Sequence, residues 1–434
     1  MSKLKTYKFS DLYKMSSGVS SKPEQAGHGS QFVSFKTVFN NYFLPDILNE
    51  FMDISEKEKE IYSIKKGDIF LTRTSETLNE LGMSCVAAKD YPASSFSGFL
   101  KRLRPTQNDI TYDKFMAFYL RSNLFRKTMT NNSIMTLRAS LNEQIFSYLE
   151  LILPDYNEQK KAGDFLYAIN AKIELNNRIN TELEAMAKTL YDYWFIQFDF
   201  PDANGKPYKT SGGKMVWNED LKREIPEGWE MKNLGDLINI FDSKRIPLSR
   251  TEREKRIGDI PYYGATSIMG YVDEHIFNDD YILLAEDGSV MDENGFPIVQ
   301  FIWGKTWVNN HAHVIQAKNI INNEFVFHLV KTISVVQIIT GSIQLKINQE
   351  NLRNVKVILP DENTLKKFSK FAIPIRKKLI NCLEENQELS SLRDWLLPML
   401  MNGQVSVGEV IALRQAQDDE LGMVAEGNAK YGKE

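Results

Sequence analysis

Apolar residues step by three and four along two stretches of the chain and alternate over short runs elsewhere. In the first stretch Leu166, Ile169, Ile173, Asn176, Asn180, Leu183, Ala187, Leu190 and Trp194 share one helical face. That is the spacing of a coiled-coil seam, with two asparagines set into it. The second stretch reads Phe368, Phe371, Ile375, Leu379, Cys382, Asn386, Leu389, Leu392 and Leu396, again with an asparagine in the apolar row. The first helix is predicted over residues 156–193, about 55 Å long at ~1.5 Å per residue. Asp155 is its predicted N-cap, with Glu158 as capping-box partner. Asp361 would cap the second helix, where Thr364 replaces the glutamate and weakens the box. Pro374 is predicted to kink or divide that helix. A buried asparagine costs stability but fixes register, so the two seams are predicted to pack on each other. A globular domain separates them in sequence, which makes the antiparallel arrangement the easy one.

Self-comparison explains why there are two. Leu149-Glu-Leu-Ile-Leu-Pro-Asp155 recurs as Val355-Lys-Val-Ile-Leu-Pro-Asp361, a shift of 206, and Ser140-Leu-Asn142 aligns with Lys346-Ile-Asn348. Near the start, Phe9-Ser-Asp-Leu12 resembles Leu234-Gly-Asp-Leu237 at a shift of 225. A period this long means two whole domains, since solenoid repeats run to roughly 20 to 50 residues. Alternating runs such as Asp68-Ile-Phe-Leu-Thr-Arg73, Tyr281-Ile-Leu-Leu-Ala285 and Ile298-Val-Gln-Phe-Ile302 predict strands, with helical stretches near residues 112–129 and 323–339 among them. The predicted fold is therefore α+β. Two domains with twisted antiparallel sheets are separated by two long helices forming an antiparallel coiled coil, a pseudo-twofold duplication. The predicted boundaries are a first domain over residues 1–154, a helix over 155–197 and a Gly/Pro-punctuated linker loop over 198–228. A second domain follows over 229–360, a second helix over 361–408 and a mobile polar tail over 409–434.

Composition narrows the class of function more by exclusion than by pointing. The two cysteines, Cys85 and Cys382, sit in no metal-binding or disulfide pattern, which places the chain in a reducing cytoplasm. No apolar run is long enough to span a membrane, and none near the start reads as a signal peptide. A net charge of −4 does not favour nucleic acid. Phosphate binding needs only a local patch, however. Lys101, Arg102, Arg104, Lys114, Arg121, Arg126, Lys127 and Arg138 face only Asp109 and Asp113 over residues 95–141. A second basic run, Lys244, Arg245, Arg250, Arg253, Lys255 and Arg256, is set against Asp242, Glu252 and Glu254. Either run also reads as a solvated face.

Enzymatic motifs are missing their partners. Gly304-Lys-Thr306 lacks the glycine five places earlier that a phosphate loop needs, because Val299 stands there. Asp202, Asp220 and Lys222 could suit a Mg²⁺ nuclease, but they fall in the predicted loop rather than on rigid elements. His311 and His313 could both ligate a metal from one strand face, yet no third ligand is suggested.

The stretch Leu183-Glu-Ala-Met-Ala-Lys-Thr-Leu-Tyr-Asp-Tyr-Trp-Phe-Ile-Gln-Phe-Asp-Phe-Pro-Asp202, then Gly205-Lys-Pro-Tyr-Lys-Thr-Ser-Gly-Gly-Lys-Met-Val216, closely resembles the central conserved region of specificity subunits of type I restriction-modification systems. Ile225-Pro-Glu-Gly-Trp229 resembles the opening of their second recognition domain, and Leu392-Arg-Asp-Trp-Leu-Leu-Pro-Met-Leu-Met-Asn-Gly403 their distal conserved region. The resemblance implies a non-catalytic subunit in which each target-recognition domain reads half of a split, asymmetric sequence in double-stranded DNA. The helices would set the spacer and dock two adenine-N6 methyltransferase subunits, with translocase/nuclease subunits joining them. It implies no cofactor in this chain, with S-adenosylmethionine, ATP and Mg on the partner subunits. Donor and acceptor chemistry picks Thr72, Arg73, Thr74, Lys101, Arg102, Thr136 and Arg138 as DNA-contact candidates in the first domain. In the second it picks Lys305, Asn309, Asn310, His311, Ser342, Gln344 and Lys346. A stand-alone DNA-binding regulator and a coiled-coil adaptor are the competing readings.

Overall fold

The computed structural model describes residues 4–20, 22–75, 80–132, 139–140, 143–318, 321–341 and 344–409. It divides into two units, Met1–Asn176 with Glu384–Glu434, and Asn177–Leu383. The division cuts both long helices, so each unit holds one domain, part of the first helix and part of the second.

The two units repeat one plan, and the sequence shifts reappear as strand register. Strand Lys5–Lys8 pairs antiparallel with Glu150–Leu153, Lys5 opposite Leu153. Strand Glu230–Asn233 pairs with Lys356–Leu359, Glu230 opposite Leu359. These are the same partners displaced by 225 at one end and 206 at the other. Even the next hydrogen bond recurs, from the Phe9 amide to the Leu149 carbonyl (2.9 Å) and from Leu234 to Val355 (2.8 Å).

Each domain then builds a four-stranded antiparallel sheet in the same order. In the first it runs Tyr13–Ser17, Leu100–Pro105, Ile69–Thr72, Ser84–Val86. In the second it runs Ile238–Ile240, Ala312–Ala317, Tyr281–Ala285, Val299–Ile302. Their central strands are buried on both faces, which is why they read as continuous apolar runs. A smaller sheet in each domain departs from the all-antiparallel expectation. Ala26–Val33 runs parallel to Ser95–Phe96, and Ile260–Tyr263 runs parallel to Lys305–Val308.

The first long helix spans Tyr156–Tyr191 and closes in a wide π-helical turn over Asp192–Ile196, with the Gln197 amide reaching the Asp192 carbonyl at 2.9 Å. Asp155 caps it through the amides of Asn157 and Glu158 (3.0 and 3.1 Å). Glu158 itself pairs with Lys161. The second long helix is unbroken over Glu362–Met401, so Pro374 does not divide it. Its cap is fuller than the sequence suggests. Asp361 accepts the Thr364 amide (3.0 Å), the Thr364 hydroxyl (2.6 Å) and the Trp229 indole (3.3 Å). The helix stops at Met401 rather than near residue 408, and Val405 and Val407 fold back onto the first unit's core. Residues 410–434, nearly all of the predicted tail, lie outside the described residues.

Within each unit the helix segments run antiparallel. In the first, Leu166 and Leu396 share a core while Asn176 meets Glu385 and Asn386. In the second, Tyr191 and Trp194 pack on Phe368, and Trp194 on Phe371. Of the predicted seam, Leu166, Ile169, Asn176, Asn180, Leu379 and Leu396 are buried. Ile173, Leu183, Leu190, Ile375, Asn386 and Leu389 are half-buried. Phe371 stands at the rim of the seam, against Trp194 on one side and 55% exposed.

The linker is more ordered than its Gly/Pro punctuation suggests. Met215–Asn218 and Arg223–Pro226 form a hairpin, and Phe200 stacks between Tyr208 and Trp229. Asp199 is held by the Thr210 amide and hydroxyl (2.8 and 2.6 Å). Both cysteines are free and buried. Among the described residues no helix is long and apolar enough to cross a membrane.

The two seam asparagines of the first helix differ. The Asn176 amide donates to Glu385 (2.8 Å) and Asn386 (2.9 Å), whereas neither amide atom of Asn180 has a hydrogen-bond partner. A buried unpaired amide costs about 1–3 kcal/mol. Asn180→Leu should therefore raise the midpoint of thermal unfolding, and Asn176→Leu should lower it. Equal effects in calorimetry of the two variants would contradict this distinction.

Candidate nucleic-acid interface

In both domains the chain leaving the buried central strand is stapled to the segment that precedes the domain's last strand. In the first domain, Thr74 and Ser75 pair with Ser140 and Ala139. In the second, Asp287 bridges Lys346, with the Gly288 amide on Leu345 (3.2 Å) and the Ile347 amide on Glu286 (2.9 Å). This staple gathers several candidates at one end of each sheet. Arg73 and Thr74 come beside residues 139–140 in the first domain. Asn310, His311, Gln344 and Lys346 come together in the second. Arg73, Asn310, His311 and Gln344 are exposed. Lys305 is exposed too, but it starts a strand whose other end, Val308, lies about 10 Å away at ~3.3 Å per residue, on the side of His311. Thr136, Arg138 and Ser342 lie outside the described residues, as does the side chain of Thr74.

Four candidates point inward. Thr72 is fully buried, donating to the Glu80 carbonyl (2.7 Å) and accepting the Met83 amide (2.9 Å). Lys101 is buried with its ammonium on the Ser17 hydroxyl (2.7 Å). Burial, and then the neighbouring Arg73, hold that ammonium below its ordinary pKa. Arg102 donates to the Ser63 carbonyl (2.7 Å) and lies over the Phe96 ring. Asn309 is buried and accepts the His311 amide (2.8 Å).

The basic runs dissolve in the same way. Arg104 forms a two-pronged pair with fully buried Asp68 (2.7 and 2.6 Å). Arg121 donates to the carbonyls of Ser84, Val38, Phe39 and Asn41, and Arg126 to Leu81. Lys114 pairs with Asp164. In the second run Arg245 is internal, Arg250 pairs with Glu254, and Arg256 with Asp273 and Glu274. Except for Arg250, which is exposed and pairs within its own helix, these side chains are cross-links between separate backbone segments. Lys127, Lys244 and Lys255 remain on the surface.

The two histidines do not share a strand face, because the strand begins only at Ala312. His311 is exposed and meets Asp287 at 2.7 Å. His313 is fully buried, with Nδ1 on Asp242 (2.6 Å) and Nε2 on the Ile347 carbonyl (2.8 Å). Sequence reasoning missed the network around it. Asp242 also accepts the Val314 amide (2.9 Å) and the Gln349 side chain (2.6 Å). Glu286 receives Arg245 (2.6 Å) and Lys346 (3.0 Å). Asp242, Glu286 and His313 bring their donor atoms within 4.8 Å of one another, close enough to hold a metal ion. Every one of those groups is already bonded to an arginine, a lysine, an amide or a carbonyl, and two carboxylates face two cations, so the cluster fits an internal ionic network. The HxH spacing was its only sequence signal. Strand pairing makes its counterpart in the first domain the Ser17–Lys101 bond, since Leu71 opposes Lys101 as Leu284 opposes His313.

This fold is a duplicated α+β chain with relatives of known kind. The model of the type I restriction modification DNA specificity domain matches residues 1–185 and 226–385. The chain belongs to this family, that of the specificity subunits of type I restriction-modification systems. It is 26% identical over 381 residues to the type I restriction enzyme MjaIX specificity subunit of Methanocaldococcus jannaschii, covering 82% of this chain and 81% of the relative. It is 24% identical over 450 residues to the HindI specificity subunit of Haemophilus influenzae, covering 86% and 94%. The crystal structure of the S subunit from M. genitalium shares the fold, with a TM-score of 0.59 at 15% identity over 92% of this chain and 96% of that one.

Burial pushes the Asp242 carboxyl up, but His313, the Val314 amide and Arg245 outweigh it and hold the group below the usual carboxylate range. A carboxyl depressed in the folded state stabilises at neutral pH and loses that contribution as pH falls through its folded value. Asp242→Asn should destabilise by about 3 kcal/mol at pH 7, and in urea unfolding the gap should narrow only as the pH is taken below the ordinary aspartate value of about 3.9. A gap independent of pH would rule out an ionised Asp242.

Proposed function

We propose that this chain is the DNA-recognition subunit of a type I restriction-modification complex, reading a bipartite, asymmetric target with one half assigned to each domain. The observation that carries this is the repeated register. Two domains of one design, each with its own exposed cluster after the buried central strand, suit two half-sites better than one continuous site. Family membership supports the same reading. Direct readout would come from Arg73 in the first domain and from Asn310, His311 and Gln344 in the second. These are exposed side chains able to donate to base edges or phosphates.

The paired helices set the spacer between half-sites and dock two adenine-N6 methyltransferase subunits, and translocase/nuclease subunits complete the complex in the cytoplasm. S-adenosylmethionine, ATP and Mg²⁺ belong to those partners, and this chain supplies position rather than chemistry.

Mapping methylated adenines after expressing the chain with its methyltransferase should return a motif of two short defined blocks around an undefined gap. Exchanging residues 1–154 for those of another family member should change one block only. Inserting seven residues between Glu174 and Met186 should lengthen the gap or abolish assembly. A change in both blocks, or an unaltered gap, would overturn the respective assignment.

A further inference from the structure

The two domains differ most between the strands of their smaller sheets. Residues 34–49 link Ala26–Val33 to Glu50–Met52 in the first domain, while only residues 264–267 link Ile260–Tyr263 to Ile268–Val272 in the second. Part of the longer link has a specific place. It runs along the outer edge of strand Ser84–Val86, the last strand of the four-stranded sheet. There the Val86 amide donates to the Tyr42 carbonyl and the Leu44 amide to the Val86 carbonyl, both at 2.9 Å, with Phe43 in a parallel bridge to Val86. Phe43 packs on Phe118 and Tyr167 (ring centroids 5.7 and 4.9 Å). Tyr42 packs on Phe118 (5.0 Å) and lies under Arg121 and Arg393. Arg121 binds three of the link's carbonyls. Thus a short extended segment with two aromatic rings fills the space between sheet edge, domain helix and long helices in the first unit.

In the second unit no segment among the described residues runs along the corresponding edge, although Tyr191 stacks on His328 (5.5 Å). Strand Val299–Ile302 ends its sheet among the described residues. The Ala285 amide bonds the Ile298 carbonyl (3.0 Å), so the alternation of an antiparallel ladder turns the N–H and C=O of Val299 and Phe301 outward. Phe301 opposes Ile282 as Val86 opposes Ile69, and so stands where Val86 receives the link. Beside this edge lies a groove of about 1060 Å³, lined among others by Ala187, Tyr191, Phe301, His328 and Lys331. Aligning Asp113-Lys-Phe-Met-Ala-Phe-Tyr119 with Asn323-Glu-Phe-Val-Phe-His-Leu329 puts His328 in the place of Phe118 and Lys331 in the place of Arg121. His328 is 6% exposed, and its Nε2 has no hydrogen-bond partner. Burial, with Arg376, Lys331 and Lys188 nearby, lowers its pKa to about 3, so the imidazole is neutral.

We infer that this groove takes an extended, aromatic-bearing peptide segment of the methyltransferase subunit, added as a parallel strand along Val299–Ile302. The identity of the partner rests on the function proposed above; the occupancy rests on the filled counterpart in the first unit. Backbone pairing at Phe301 supplies the affinity, as in other strand additions to a sheet edge. The groove beside the stacked rings of His328 and Tyr191 (5.5 Å) receives a ring, and Lys331 faces the segment's carbonyls.

The chain's own filler provides the probe. A synthetic peptide of residues 39–46, Phe-Asn-Asn-Tyr-Phe-Leu-Pro-Asp, should bind the full-length chain one to one in titration calorimetry. Methylating the amide nitrogen of its leucine should weaken binding about tenfold, the equivalent of one lost hydrogen bond. Phe301→Pro, which removes an outward N–H that an edge strand can spare, should abolish binding; it also removes the ring that packs on Phe327 and under Arg376, so the leucine-methylated peptide against the unaltered chain is the control that isolates the backbone bond. Val299→Ala, which leaves the backbone donors in place, should retain it. No binding by the wild-type chain, or binding unaffected by leucine methylation, would overturn the strand addition. The peptide should also fail to bind the chain once it is assembled with its methyltransferase. Undiminished binding to that complex would overturn the assigned occupant. A chain that binds the peptide but never assembles with a methyltransferase would instead refute the proposed function and leave the groove assignment standing.

Discussion

The apolar flank of each long helix serves two contacts at once, with the other helix along the seam and with a domain along the adjoining face. In the first unit Ala162, Leu166, Leu396 and Leu400 lie in the same core as Phe115, Leu149 and Leu151. In the second, Trp194, Phe195, Phe368 and Ala372 lie with Phe325, Ile347 and Val357. A buried Leu or Phe side chain contributes about 1.5–3 kcal/mol, so sliding a domain along its helices would expose several such groups together. The backbones also approach closely. A side chain at Gly163 would stand 2.6 Å from the Phe115 nitrogen, so the helix lies against its domain with nothing between. This shared core is what prevents a domain from drifting along its helices within each unit.

How much of this could be read in advance depended on the kind of interaction. The duplication was legible because strand register is written in the chain as recurring short motifs, and the shifts of 206 and 225 returned as the pairings of Leu153 and Leu359. The seams were legible because helical periodicity is local. The fate of the charged residues was not. A guanidinium that could bind phosphate can equally bind a carbonyl, and the carbonyls that hold Arg121 and Arg102 lie some forty to eighty residues away in sequence. Asn309 and Thr72 misled for a related reason, because short polar side chains at strand ends close turns as readily as they meet a ligand. His313 showed as half of a pair with His311, when its true partners, Asp242 and Glu286, came from two other strand ends.

After duplication the copies kept their ladders and changed their polar interiors. Where the first domain has the Lys101–Ser17 bond, the second has a histidine between two carboxylates, an arginine and a lysine. Acidic groups at Glu286 and Asp287 neutralise Lys346 and His311 in the second domain. The staple in the first domain carries Arg73 instead. The same position of one scaffold thus carries an acid-paired cluster in the second domain and exposed Arg73 in the first.

The attachments between domain and long helix are also charged in opposite senses. Lys114 on the first domain's helix meets Asp164, whereas the aligned Glu324 in the second meets Arg376. Seating the first domain's helix on the second domain's mount would bring lysine to arginine, and the reverse exchange would bring glutamate to aspartate. The two mounts are therefore keyed. A gene rearrangement that shuffles these domains yields a well-matched product only if each travels with the stretch of helix bearing its own counter-charge.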